Sequence, residues 1–154
     1  MSNRGSAYLA AGGAAVILAL AAVAAPQDPW TRAQLITPEQ LANELSGKEV
    51  PKPTLISVAF RVSYQSGHIP GSLYFGPGRD PKSLEALKKW ASSVPKTQNT
   101  VIYCGCCPWD HCPNVRPAFQ ALKEMGFTHL RVVEIPNDLG RDWVEKGYPI
   151  ERGH

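Results

Sequence analysis

Short apolar runs alternate with segments of helical period along most of the chain. Thr37 is a natural N-cap, Pro38 suits a first helical position, Gln40 completes a capping box and Ile36 can staple onto Leu41. Gly47 closes that helix. Leu55-Ile-Ser-Val-Ala-Phe60 follows Pro53 and has the length and β-branched content of a buried strand. A turn-rich stretch, Gly67 to Ser72, leads into Leu73-Tyr-Phe75. Asp80-Pro81 then opens a second helix with Leu84, Leu87, Trp90, Ala91 and Val94 on one face. Thr100-Val-Ile-Tyr103 reads as another buried strand. Arg116-Pro117 opens a third helix, with Ala118, Ala121, Leu122 and Met125 in helical spacing and Gly126 as its stop. Leu130 to Ile135 is strand-like, and Asp138 to Lys146 predicts a last helix ended by Gly147-Tyr-Pro149. This alternation over short connections predicts an α/β domain whose central, mostly parallel sheet is covered on both faces.

The N-terminal segment differs in kind. Arg4 is followed by an uncharged stretch from Gly5 to Gln27 that contains Val16, Ile17, Leu18 and Leu20 and passes through Ala22-Val23-Ala24. A basic start, an apolar middle and small residues at a cleavage point are the layout of a secretory signal peptide. The run also approaches the roughly 20 apolar residues that span a bilayer, so an uncleaved anchor is the alternative, weakened by its Ala and Gly content. The expected organisation is a signal peptide or anchor over residues 1–24, a linker over 25–35 and the folded domain over 36–154. Either reading places the fold outside the cytoplasm, as a periplasmic or secreted protein or one anchored with its domain facing outward; membrane contact follows only if the segment is uncleaved.

A composition of 44% hydrophobic and 19% charged residues is that of an ordinary globular domain. Removal of residues 1–24 takes away one Arg and no acid, lowering the formal charge from +3 to +2. Such a small surplus, with no Lys/Arg stripe, argues against a nucleic-acid partner.

All four cysteines lie in one loop, Cys104-Gly-Cys-Cys-Pro-Trp-Asp-His-Cys112. The domain is long enough to bury a core without staples, so a disulfide framework is not needed, although export would permit structural disulfides. Cys104 leaves a buried strand and precedes a helix start, where unpaired N–H groups and the helix dipole stabilise a thiolate. Arg116 adds a cation for an oxyanion substrate. Cys104 and Cys107 also form a CxxC spacing, which suits a redox pair or a resolving thiol, with Cys112 as the other candidate partner. A zinc or copper(I) site from Cys104, Cys107, His111 and Cys112 is a further reading. Pro108 after Cys107 rules out CxxCH haem attachment. Trp109, in a polar loop, can wall a pocket or meet a partner protein. His68, in a turn before Ile-Pro-Gly, reads as structural.

Three pieces in this order resemble the rhodanese family: Gly67-His-Ile-Pro-Gly-Ser72, Val101-Ile-Tyr-Cys104 and Trp143-Val-Glu-Lys-Gly-Tyr-Pro-Ile150. The resemblance covers most of residues 37–152 and implies a three-layer sulfurtransferase fold. It also implies that Cys104 takes a sulfane sulfur from a small donor such as thiosulfate and passes it, as a persulfide, to a thiol or other acceptor, with no cofactor. Loop N–H groups would cradle the persulfide. The resemblance accounts for Cys104 alone; by their place in the loop Cys107 or Cys112 is a candidate relay or resolving thiol, and Gly105, Cys106, Trp109, His111 and Arg116 are the candidate substrate-binding residues. The chain departs from the family pattern in two places. Ile56-Ser57-Val58-Ala59 stands where an acid and an arginine are usual, and Arg116 lies twelve positions after Cys104 in an expanded loop. The alternative function is a thiol-disulfide or metal-binding module on the same fold.

Overall fold

The computed structural model describes residues 28–47 and 51–153. The expected signal or anchor segment, residues 1–24, lies outside the described residues. No helix among the described residues is long and apolar enough to cross a membrane.

Strands β1 (Leu35–Ile36), β2 (Thr54–Ser57), β3 (Leu73–Tyr74), β4 (Thr100–Tyr103) and β5 (Leu130–Val133) form one sheet in the order β1-β5-β4-β2-β3. Every strand pair in it is parallel. Helices α1 (Pro38–Ser46), α2 (Arg61–Ser66), α3 (Pro81–Ser92) and α4 (Val115–Glu124) occupy the connections. The caps form as the sequence predicts. Thr37 Oγ1 accepts from the Gln40 N–H at 3.1 Å while Gln40 Oε1 accepts from the Thr37 N–H at 2.9 Å. Asp80 Oδ1 accepts from the N–H groups of Lys82 and Ser83 at 2.8 and 3.2 Å.

The apolar runs read as strands because both sheet faces are buried. Successive side chains of a strand point to opposite faces. Ile56, Ile102 and Val132 therefore meet Leu87 and Ala91 of α3 and Phe119 and Leu122 of α4. Their neighbours Leu55, Val101 and Val133 meet Leu41 of α1 together with Trp143. The result is three layers, helix on sheet on helix, with β4 in the middle.

Three boundaries differ from the sequence reading. Strand β2 stops at Ser57; beyond it Val58, whose N–H still donates to Tyr103 O at 2.9 Å, and Ala59 are buried in the core cluster that also holds Cys104 and Cys112, and Phe60 is exposed. The chain then turns into α2, which the sequence did not announce because its six residues carry no apolar period. The last helix contracts to a π-helical turn, Gly140–Val144, marked by the Glu145 N–H bonding to Gly140 O at 2.8 Å.

Residues 28–35 are not a linker. Trp30 is 8% exposed and packs edge-on against Phe119, with ring centroids 5.3 Å apart. Asp28 pairs with Arg116, the Gln34 side chain donates to Leu130 O at 3.2 Å, and Leu35 enters β1. Prolines and polar residues gave this stretch the composition of a spacer, whereas a single buried indole decides its role. Trp30→Ala is expected to destabilise the protein by about 3 kcal/mol in urea unfolding, the usual cost of emptying a large aromatic site. A change within about 0.5 kcal/mol, normal for an exposed linker residue, would refute the assignment.

Candidate active site

Strands β2 and β4 end side by side, with Ser57 opposite Tyr103, and the chain beyond each runs over a cleft of about 350 Å³. Ser57, Tyr103, Cys104, Gly105, Leu139 and Arg152 are among the residues that line it. Ligands of open parallel sheets sit beyond the carboxyl ends of the strands, which is the position of this cleft. The Tyr103 hydroxyl accepts from the Ile69 N–H at 3.1 Å and lies 2.8 Å from Ser72 Oγ. Burial pushes the Tyr103 phenol up to about 12, so it stays protonated there. Ser57 Oγ is fully buried and has no hydrogen-bond partner among the described residues.

The cysteine loop is pinned to the segment after β5. Leu139 N–H donates to Gly105 O and Trp109 N–H to Ile135 O, both at 3.0 Å. Gly105 has φ +77° and would place a Cβ 2.9 Å from Leu139 Cβ, so only glycine fits. These pins fold the loop back on itself and bring the sulfurs of Cys104, Cys106, Cys107 and Cys112 within 4.8 Å of one another. Cys104 and Cys106 Sγ are 2.8 Å apart, Cys106 and Cys107 Sγ 3.7 Å. All four are free thiols, with Cys104 and Cys112 buried and the other two half-buried. Asn114, fully buried, reaches Cys104 Sγ from its Nδ2 at 3.7 Å and accepts from the Arg79 N–H on its Oδ1 at 3.4 Å.

Sulfurs this close do not ionise together, and the surroundings favour the thiolate form most at Cys112. Its thiol is held far below the ordinary range, first by the Cys104 and Cys106 thiols that donate to it and then by the N–H groups of Asn114 and Val115 at the start of α4. At Cys104 the Cys106 thiol pulls downward, but donation toward Cys112, burial and the Cys112 charge prevail and hold the group high. Donation toward Cys104 and Cys112 raises Cys106; burial, then the bond and charge of Cys112, raises Cys107. The helix start that was expected to act on Cys104 therefore acts on Cys112, because the expanded loop carries the chain past Cys104 before α4 begins.

Several site assignments from the sequence move. Arg116 does not face the cleft: its Nε donates to Asp28 Oδ1 at 2.7 Å, its Nη2 to Asp110 O at 2.6 Å, and its guanidinium sits 5.4 Å from the centre of the Trp30 ring. Arg152 is the cationic side chain that lines the cleft, among the described residues. Trp109 is half-buried with its ring 5.7 Å from that of Trp30, so it belongs to the core edge and does not wall the cleft. His111 is exposed and bonded to Asp110 at 2.9 Å, outside the sulfur cluster, and Cys106 takes the place it held in the expected metal set. His68 is structural as read: it is buried, stacks on Tyr64 at 3.8 Å and exchanges backbone hydrogen bonds with Glu151. Ser57, Asn114 and Arg152 had no signal beyond their residue type, since only the fold brings their segments together.

The family model described as rhodanese-like domain matches residues 37–134. Among solved structures, the solution structure of a rhodanese-like domain from Anabaena sp. is 26% identical with a TM-score of 0.56, over 77% of this chain and 79% of that one. A crystal structure of thiosulfate sulfurtransferase from Pseudomonas aeruginosa has a TM-score of 0.58 at 22% identity over 83% of this chain, and shares the fold. This chain spans 21% of that protein. No curated protein sequence matches the chain.

The pinning of the loop makes a direct expectation. Gly105→Ala, which forces a side chain into a left-handed backbone and against Leu139, should lower stability by about 1–3 kcal/mol in urea unfolding. An unchanged midpoint would show that the loop is not held as described.

Proposed function

The chain belongs to the rhodanese-like domain family, and from that premise we propose that it is a sulfurtransferase-like carrier of sulfane sulfur, working outside the cytoplasm, with Cys104 as the nucleophile. The observation that carries this reading is the place of Cys104. Of the four clustered cysteines it is the one that lines the cleft, at the end of β4, with the others behind it in the loop. Cys104 passes its proton to Cys112, the sulfur it donates to, and attacks the outer sulfur of a donor such as thiosulfate; the S–S bond of the donor breaks, and sulfite leaves with the bonding electron pair. Cys104 is left as a persulfide. An acceptor thiol then attacks the terminal sulfur, gives up its proton, and leaves with the sulfane sulfur while Cys104 regains the thiolate.

The lining supports an anionic donor. Arg152 supplies the positive charge that Arg116 cannot, being engaged by Asp28 and Asp110. The backbone N–H of Cys106 favours negative charge on Cys104 and would serve the persulfide in the same way. For the relay, the nearest sulfur to Cys104 is Cys106 at 2.8 Å, so it comes before Cys107 and Cys112 in the order of approach. The acceptor is a small thiol or a thiol on a partner protein, and neither step needs a cofactor.

Reduced protein treated with thiosulfate should gain one sulfur atom by intact mass, and Cys104→Ser should gain none. Equal gain in the variant, or none in the wild type, sinks the reading. Arg152→Ala should raise the thiosulfate KM about tenfold, the loss of one charge-assisted hydrogen bond, while Arg116→Ala should leave KM within about twofold. The reverse order would return the anion site to Arg116.

A further inference from the structure

Sulfur transfer needs one cysteine and at most one relay thiol, yet this loop draws four sulfurs into a single knot. We propose that Cys104, Cys106, Cys107 and Cys112 form a tetrathiolate site for one thiophilic closed-shell metal ion, of the class of zinc or copper(I). The site stands independently of the sulfur-carrier reading.

Geometry comes first. An ion with Zn–S bonds of about 2.3 Å at the centre of a tetrahedron sets its ligand sulfurs about 3.8 Å apart. The Cys106–Cys107 pair is already at 3.7 Å, and every pair is within 4.8 Å. The Cys104–Cys106 pair, at 2.8 Å, has only to open by about 1 Å to reach that spacing. The sulfurs come from a loop pinned at Gly105 and Trp109, so the set is assembled before any ion arrives. Preassembly of this kind reduces what binding must order.

Chemistry comes second. Four thiolates are soft ligands, and a tetrahedral sulfur set selects zinc, copper(I) or iron over hard cations. The oxygen and nitrogen donors of the loop are turned elsewhere, Asp110 and His111 being paired with each other in solvent. Thiolates bound to a metal keep excess negative charge, which N–H donors offset. Asn114 Nδ2 at Cys104 and the backbone N–H groups of Asn114 and Val115 at Cys112 are in place for that. Binding releases the remaining thiol protons to solvent, up to three per ion with Cys112 already a thiolate, so no oxidant or reductant is required. An ion held here occupies Cys104, so the metal-bound protein cannot carry sulfur on that residue.

The test uses the full chain, reduced, kept anaerobic and never exposed to a sulfur donor, so that its result does not depend on sulfur transfer. Co²⁺ is titrated as the optical probe and Zn²⁺ is then added in competition. The expected result is tetrahedral d–d bands with thiolate-to-cobalt charge transfer, saturating at one equivalent and erased by one equivalent of Zn²⁺. Cys107→Ser should weaken binding about 10-fold or more, whereas His111→Ala should leave spectrum and affinity within about twofold. Urea midpoints near wild type keep a folding defect from being mistaken for ligand loss. Absence of tetrahedral bands in the fully reduced protein, or equal weakening by His111→Ala and Cys107→Ser, overturns the proposal.

Discussion

Strand β4 is hydrogen-bonded to a neighbour on each edge, β2 and β5, and covered by helices on each face. A strand so enclosed has no freedom of register, because a shift of one residue would turn every side chain to the wrong layer. Cys104 is the next residue along. Its position is therefore the most tightly determined in the cysteine loop, set by the core and not by the loop itself. The cleft follows from the same constraint, since β2 and β4 end level with each other and the chain must leave the sheet there.

The loop beyond Cys104 is held by different means. It has no regular ladder, and its backbone is fixed by two hydrogen bonds to the segment after β5 and by the close approach of Gly105 to Leu139. Those contacts crowd four sulfurs together, and crowding decides their chemistry. The Cys104 and Cys106 thiols, and after them the N–H groups at the start of α4, favour a thiolate at Cys112. The cleft-facing thiol and the most stabilised thiolate are thus two different residues in contact with one cluster, joined through Cys106.

The segment before β1 shapes the site from outside. Trp30 fills a place between Trp109 and Phe119, and Asp28 beside it takes the guanidinium of Arg116. Once engaged in this way, Arg116 braces the loop by bonding to the carbonyl of Asp110 and holds no donor toward the cleft. Among the described residues, the cationic side chain that lines the cleft is Arg152, which reaches it from a segment distant in sequence. The expanded loop explains the exchange: an arginine twelve positions beyond Cys104 is carried around to the α4 side of the sheet.

Much of this was readable before any coordinates. Period, caps and apolar runs announced α1, α3, α4 and the central strands, because each of those signals acts within a few residues. The fold class followed from their order, the family from three short motifs, and Cys104 from its place at a strand end. What the sequence could not decide were relations between segments far apart in the chain. The burial of Trp30, the diversion of Arg116 to Asp28, the entry of Cys106 into the sulfur cluster in place of His111, and the arrival of Arg152 at the cleft all depend on which surfaces meet when the layers close. The opening loop of cysteines is the sharpest case. Spacing alone offered CxxC pairings and a histidine ligand, but side-chain direction in an irregular loop is set by its tertiary pins, and those pins turned four sulfurs inward and the imidazole out.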